Sequence, residues 1–96
     1  MKLTSILLLA PLLSLTSAKL CWNDDPGEHA CYKGLTTAEE DIVRWIEPGE
    51  KFHVQCQIRG TQGRKILRRW IPKWKCYVLA PDTNYDCGVD LPTCSA

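Results

Sequence analysis

From Lys51 to Arg59 hydrophobic and polar side chains alternate without a break: Phe52, Val54, Cys56 and Ile58 against Lys51, His53, Gln55, Gln57 and Arg59. A period of two sends the two sets to opposite faces of a strand. The pattern therefore predicts a strand over 51–59 with a buried face that carries a cysteine. Gly60-Thr61-Gln62-Gly63 reads as a turn, and Ile66, Arg68 and Trp70 then alternate with Leu67 and Arg69 in a return strand over 65–70. Pro72 interrupts that strand, because proline cannot donate to a ladder. A further short strand covers 75–79 and closes at Ala80-Pro81-Asp82.

Upstream the signals are mixed. Thr36, with Glu39 three residues later, has the form of a capped helix start. Ile42, Val43, Trp45 and Ile46 favour extended chain instead. The reading is one turn of helix or a simple turn, then a strand over 41–46 that ends at Pro48-Gly49. Cys21 to Gly34, with Asn23-Asp24-Asp25-Pro26-Gly27 inside it, is a loop with a cysteine near each end. Residues 83–96 are irregular chain stapled to the body. Short strands punctuated by glycine and proline predict a small, mainly β barrel or sandwich.

The first 18 residues follow a different pattern. Lys2, an apolar run from Leu3 to Leu15 and Thr16-Ser17-Ala18 read as a secretory signal peptide cleaved before Lys19. The run is shorter than the roughly 20 apolar residues of a spanning helix. Residues 19–96 are then one domain of 78 residues, too short for large enzyme folds such as doubly wound sheets. It is expected to be secreted, extracellular, monomeric and without a stable membrane span. All six cysteines (Cys21, Cys31, Cys56, Cys76, Cys87 and Cys94) lie in it. An even count in an oxidising route predicts three disulfides, and six cysteines allow 15 pairings. No C-x-x-C pair occurs, and His29 near Cys31 is isolated, so no metal and no cofactor is expected.

Charge is segregated along this domain. Residues 19–50 carry three basic and eight acidic side chains, whereas residues 51–80 carry eight basic ones and no acid. Such a block either meets an anionic ligand or is neutralised by the acidic segment within the fold. In the first case Arg64, Lys65, Arg69, Lys73 and Lys75 would neutralise phosphate or sulfate, with an exposed Trp74 stacking on bases or sugars. Trp70 is expected in the core. His53 lies on the polar face of its strand, but no nucleophile-elbow motif accompanies it, and no catalytic residue is assigned.

The segment Val43 to Leu79 resembles a secreted SH3-like (bacterial SH3, SH3b) domain. The resemblance rests on Pro48-Gly49-Glu50, Phe52-His53-Val54-Gln55-Cys56-Gln57, Gly60, Trp70 and Cys76-Tyr77-Val78. It implies a small disulfide-stapled β-barrel with Cys56 bonded to Cys76. The strand pattern agrees, with Cys56 on an inward face and Cys76 opening a strand expected near it. A second bridge would join Cys31 to Cys94 or Cys87. Ala30-Cys31-Tyr32-Lys33-Gly34 departs from the family's Asn-Cys-Arg-Ser-Gly-Pro, which builds part of the groove in cell-wall-binding members. Cys21 and Cys87 have no counterpart in that pattern. The expected function is a secreted, non-catalytic binding module or effector-like protein acting on cell-wall glycan or a host protein. The alternatives are a toxin or antimicrobial protein using residues 51–80, or a small secreted ribonuclease.

Overall fold

The computed structural model describes residues 18–60 and 66–95. Seven strands form the framework: β1 (Lys19–Trp22), β2 (His29–Tyr32), β3 (Ile42–Ile46), β4 (Lys51–Val54), β5 (Cys56–Arg59), β6 (Leu67–Ile71) and β7 (Cys76–Leu79). Two single 3-10 turns, Glu39–Asp41 and Ala80–Asp82, complete the elements. The protein is mainly β. Among the described residues no helix is long and apolar enough to cross a membrane. Residues 1–17 of the expected signal peptide, positions 61–63 of the expected turn, and Arg64 and Lys65 of the expected basic patch lie outside the described residues.

The strands form two antiparallel sheets. One pairs β1 with β4, and the other runs β3-β2-β7-β6-β5. The continuous strand expected over 51–59 is therefore two strands. Its chain bends at Gln55, whose N–H donates to Trp70 O at 3.0 Å. β4 stays with β1 while β5 joins β6. Phe52 and Val54 are buried as the pattern required, but past the corner Cys56, Gln57 and Ile58 are all half-buried, and Cys56, expected on the buried face, stands opposite Trp70 outside the core.

β3 is a strand because Ile42, Val43 and Ile46 pack well on a pleated surface. It ends in a turn over 47–50, with Gly49 at φ 79° and Glu50 N–H donating to Glu47 O at 3.0 Å. Proline second and glycine third is the arrangement a type II turn demands. Ahead of β3, Thr36 does not cap a helix. Its hydroxyl donates to Asp41 Oδ2 at 2.7 Å, and the 3-10 turn Glu39–Asp41 has no side-chain cap.

The core holds Cys21, Cys31, Ile46, Phe52, Val54, Ile71, Cys76, Val78 and Cys87. Four of these nine are cysteines, so sulfur fills volume that aliphatic side chains would occupy in a larger domain. The bridges are Cys21–Cys87, Cys31–Cys76 and Cys56–Cys94. Disulfides of this number belong to an oxidising environment. The expected Cys56–Cys76 bridge is not formed, nor is a bridge from Cys31 to Cys94 or Cys87. Strand order is the reason. β6 lies between β5 and β7, and strands two apart are separated by roughly 9–10 Å, beyond the reach of a disulfide. Cys76 instead meets Cys31 on its neighbour β2, with Cα atoms 5.5 Å apart.

Cys56 is taken by the C-terminal tail. Gln57 N–H donates to Pro92 O at 2.9 Å and Cys94 N–H to Gln57 O at 3.0 Å, around a parallel bridge between Gln57 and Thr93. The tail thus pairs with β5 as a minimal sixth strand and covers an otherwise open sheet edge. Earlier in the tail, Asn84 clasps Trp22: Asn84 N–H donates to Trp22 O at 3.0 Å, and Trp22 N–H to Asn84 Oδ1 at 2.9 Å. The tail is irregular and doubly stapled, as expected.

Candidate functional site

The basic segment does not assemble the anion-binding patch expected of it. Arg69, expected to point outward, is 9% exposed. It lies opposite Gln57 and Val78 on the face that the tail covers. Its guanidinium donates to Gln57 Oε1 at 3.1 Å and to Thr83 Oγ1 and Ala80 O. Burial pushes its pKa down from the usual guanidinium value. Arg68, its neighbour, is also buried and donates to Leu35 O at 2.9 Å and Ile66 O at 3.2 Å.

Trp74, expected to be exposed, packs against the core instead. Its ring is 5.8 Å from that of Phe52, and the Arg44 guanidinium lies 3.7 Å above it. Arg44 Nη2 donates to both carboxylate oxygens of Glu50, at 2.9 and 2.7 Å. Of the described members of the patch, only Lys73 and Lys75 are exposed. The acidic first segment pairs within itself, Arg44 with Glu50 and Lys33 with Asp41.

A different surface gathers aromatic side chains. Tyr32 lies opposite Tyr77, and Tyr77 opposite Trp70, on the consecutive strands β2, β7 and β6. Directly opposed residues share a face of the sheet, so the three form one row, each half-buried. The Trp70 and Tyr77 rings are 4.8 Å apart and inclined at 53°, a favourable tilted contact. Trp70, expected in the core, is thus a wall rather than a filler. Its row ends at Cys56.

The Cys56–Cys94 bridge brings the tail alongside this row and creates a groove of about 420 Å³. Gln55, Trp70, Tyr77, Pro92, Thr93 and Ser95 line it together with the two cysteines. The volume is within the range of small-ligand sites, and no lining residue is charged. Chemically it offers an apolar aromatic wall with an amide and two hydroxyls on the rim. The sequence names the three aromatics but not their row, because the row exists only in the register of β2, β7 and β6.

The histidines separate as well. His53 is exposed on β4. His29 opens β2 with Asp25 Oδ2 2.8 Å from Nε2 and Asp82 Oδ1 3.3 Å from Nδ1. Cys31, its neighbour in sequence, is committed to Cys76.

No family model, no curated protein and no solved structure matches this chain.

Proposed function

We propose that the protein is a secreted, non-catalytic binding module whose groove at Trp70, Tyr77 and the 92–95 tail takes a neutral glycan. The observation that carries this reading is the tilted Trp70–Tyr77 pair forming the wall of an uncharged groove. A pyranose ring has an apolar C–H face and a rim of hydroxyls. Aromatic rings take the face, and a few polar groups fix the rim. Gln55, Thr93 and Ser95 are placed to do the latter. A polyanion finds no cation in that groove. The SH3-like barrel remains part of this proposal for the strand set 43–79, with Cys31–Cys76 and Cys56–Cys94 in place of the two bridges the resemblance implies. Secretion rests on the signal-like residues 1–18 and on three disulfides that require an oxidising route.

The test is a glycan array, followed by calorimetry with the oligosaccharide it selects. Trp70→Ala and Tyr77→Ala should each weaken binding at least about tenfold while the circular dichroism spectrum stays native, since a buried aromatic contact is worth over 1 kcal/mol. Binding should be indifferent to salt between 50 and about 200 mM, unlike phosphate-type contacts. Retention on heparin resin that Lys73→Ala and Lys75→Ala remove, with no glycan bound, would replace this reading with the polyanion one.

A further inference from the structure

The imidazole of His29 faces a carboxylate from each ring nitrogen, Asp25 at 2.8 Å and Asp82 at 3.3 Å. A neutral imidazole has one N–H and one lone pair. Its lone pair is the position at which such a ring takes a metal ion. The two carboxylates beside the ring supply oxygen donors, so a cation among the three groups would meet one nitrogen and two oxygens. One ligand atom from each residue lies within 4.8 Å of the others. Ligands about 2.0–2.2 Å from a tetrahedral ion are separated by roughly 3.3–3.6 Å, so a modest closure completes the arrangement. Asp25 is free to make it, with its side chain 49% exposed.

The other parts of the cluster are held from outside. Asn23, 1% exposed, accepts from the Asp25 N–H at 2.9 Å and donates to Gly27 O and Ile46 O at 2.9 and 3.2 Å. His29 is registered against Ile46 on β3. Asp82 sits in the 3-10 turn directly after β7, and β7 is bonded to β2 through Cys31–Cys76. The three residues come from two regions more than 50 positions apart, converging on one point.

We propose that Asp25, His29 and Asp82 form a site for one divalent transition-metal ion of the zinc type, separate from the aromatic groove. One nitrogen and two carboxylates make a borderline donor set that suits zinc. Calcium takes six to eight oxygens, which this cluster does not offer. Bound there, the ion ties the 23–28 turn to the 80–82 turn.

Titration of the disulfide-bonded protein with zinc chloride, in buffer free of chelators, tests the proposal. Calorimetry should show one ion per chain, and the ring signals of His29 should shift in NMR spectra while those of exposed His53 do not. Loss of an outer-shell partner alone costs about 10–100-fold in affinity, so His29→Gln and Asp82→Asn should each cost at least that. His53→Gln should bind as the wild type, and calcium chloride should give no saturable heat. Should a variant fail to fold by circular dichroism, the His29 ring shift in the wild type still decides. No heat and no shift at about 1 mM zinc would overturn the proposal, a concentration matching only millimolar affinity. So would a His29→Gln variant that binds as tightly as the wild type.

Discussion

Arg68 and Arg69 are adjacent on β6, yet both are buried, because each face of that strand is covered by irregular chain rich in carbonyls. Glycine makes room for them. A Cβ on Gly88 would strike the Arg69 guanidinium, and one on Gly60 would come within 2.6 Å of Arg68 Cζ. The acceptors around Arg69 are neutral (Gln57, Thr83 and Ala80), so its charge is hydrogen-bonded without a carboxylate. Arg69→Ala should leave those acceptors unmet beside a cavity and cost about 2–4 kcal/mol in urea unfolding. Arg69→Met keeps the volume and discards the charge, so it should lose less. Asp82 is the second residue under tension. Burial raises its pKa above the usual carboxylate value, with the pull of His29 against this and the repulsion of Asp25 adding to it. A carboxyl raised on folding contributes stability below its unfolded pKa, about 3.9, and that contribution is lost as pH rises through the folded value. In chelator-containing buffer Asp82→Asn should therefore gain on the wild type as pH rises from about 3.9, read as a growing difference in urea midpoints.

At the scale of elements, the tail beside β5 both closes a sheet edge and walls the groove. Cysteine-to-alanine changes at Cys56 and Cys94 together should lower stability by about 2–4 kcal/mol. They should also speed hydrogen exchange at the Gln57 amide and the amide of position 94 ahead of those in β6 and β7, because those two amides depend on the tail's pairing. Local rules made the strands β3 and β7 and the 47–50 turn readable in advance, since their β-branched runs and the Pro48-Gly49 pair act through neighbours in sequence. The corner at Gln55 was not readable. The sequence alternates at 52, 54, 56 and 58 without a break, yet the partners change from β1 to β6 and the core face is lost after Val54. Disulfide pairing is hidden for the same kind of reason, because it follows which strands adjoin. Their own polarity, or that of their neighbours, predicts Arg69 and Trp74 on the outside. The tail and Arg44, distant in sequence, are what cover them. The aromatic row was hidden in register.

For the whole molecule, the connectivity of the bridges matters more than their number. Cys31–Cys76 lies within the loop closed by Cys21–Cys87, while Cys56–Cys94 begins inside both loops and ends outside them. Cutting any one leaves the chain ends still tied through another. The sequence separations are 66, 45 and 38 residues. On the loop-entropy model each bridge taken alone is then worth roughly 4 kcal/mol. A domain of 78 residues has a typical net stability of about 4–12 kcal/mol. Loss of one bridge is thus survivable, whereas loss of all three matches or exceeds the whole of that stability. Reduction removes more than constraint here, because Cys21, Cys31, Cys76 and Cys87 are themselves part of the core. Full reduction, verified by mass, should abolish the cooperative melt followed by circular dichroism, and single-bridge variants should still melt cooperatively at lowered midpoints. A fully reduced chain that melts at the native midpoint would mean that the apolar set of Ile46, Phe52, Val54, Ile71 and Val78 sustains the fold unaided, against what a core of that size supplies.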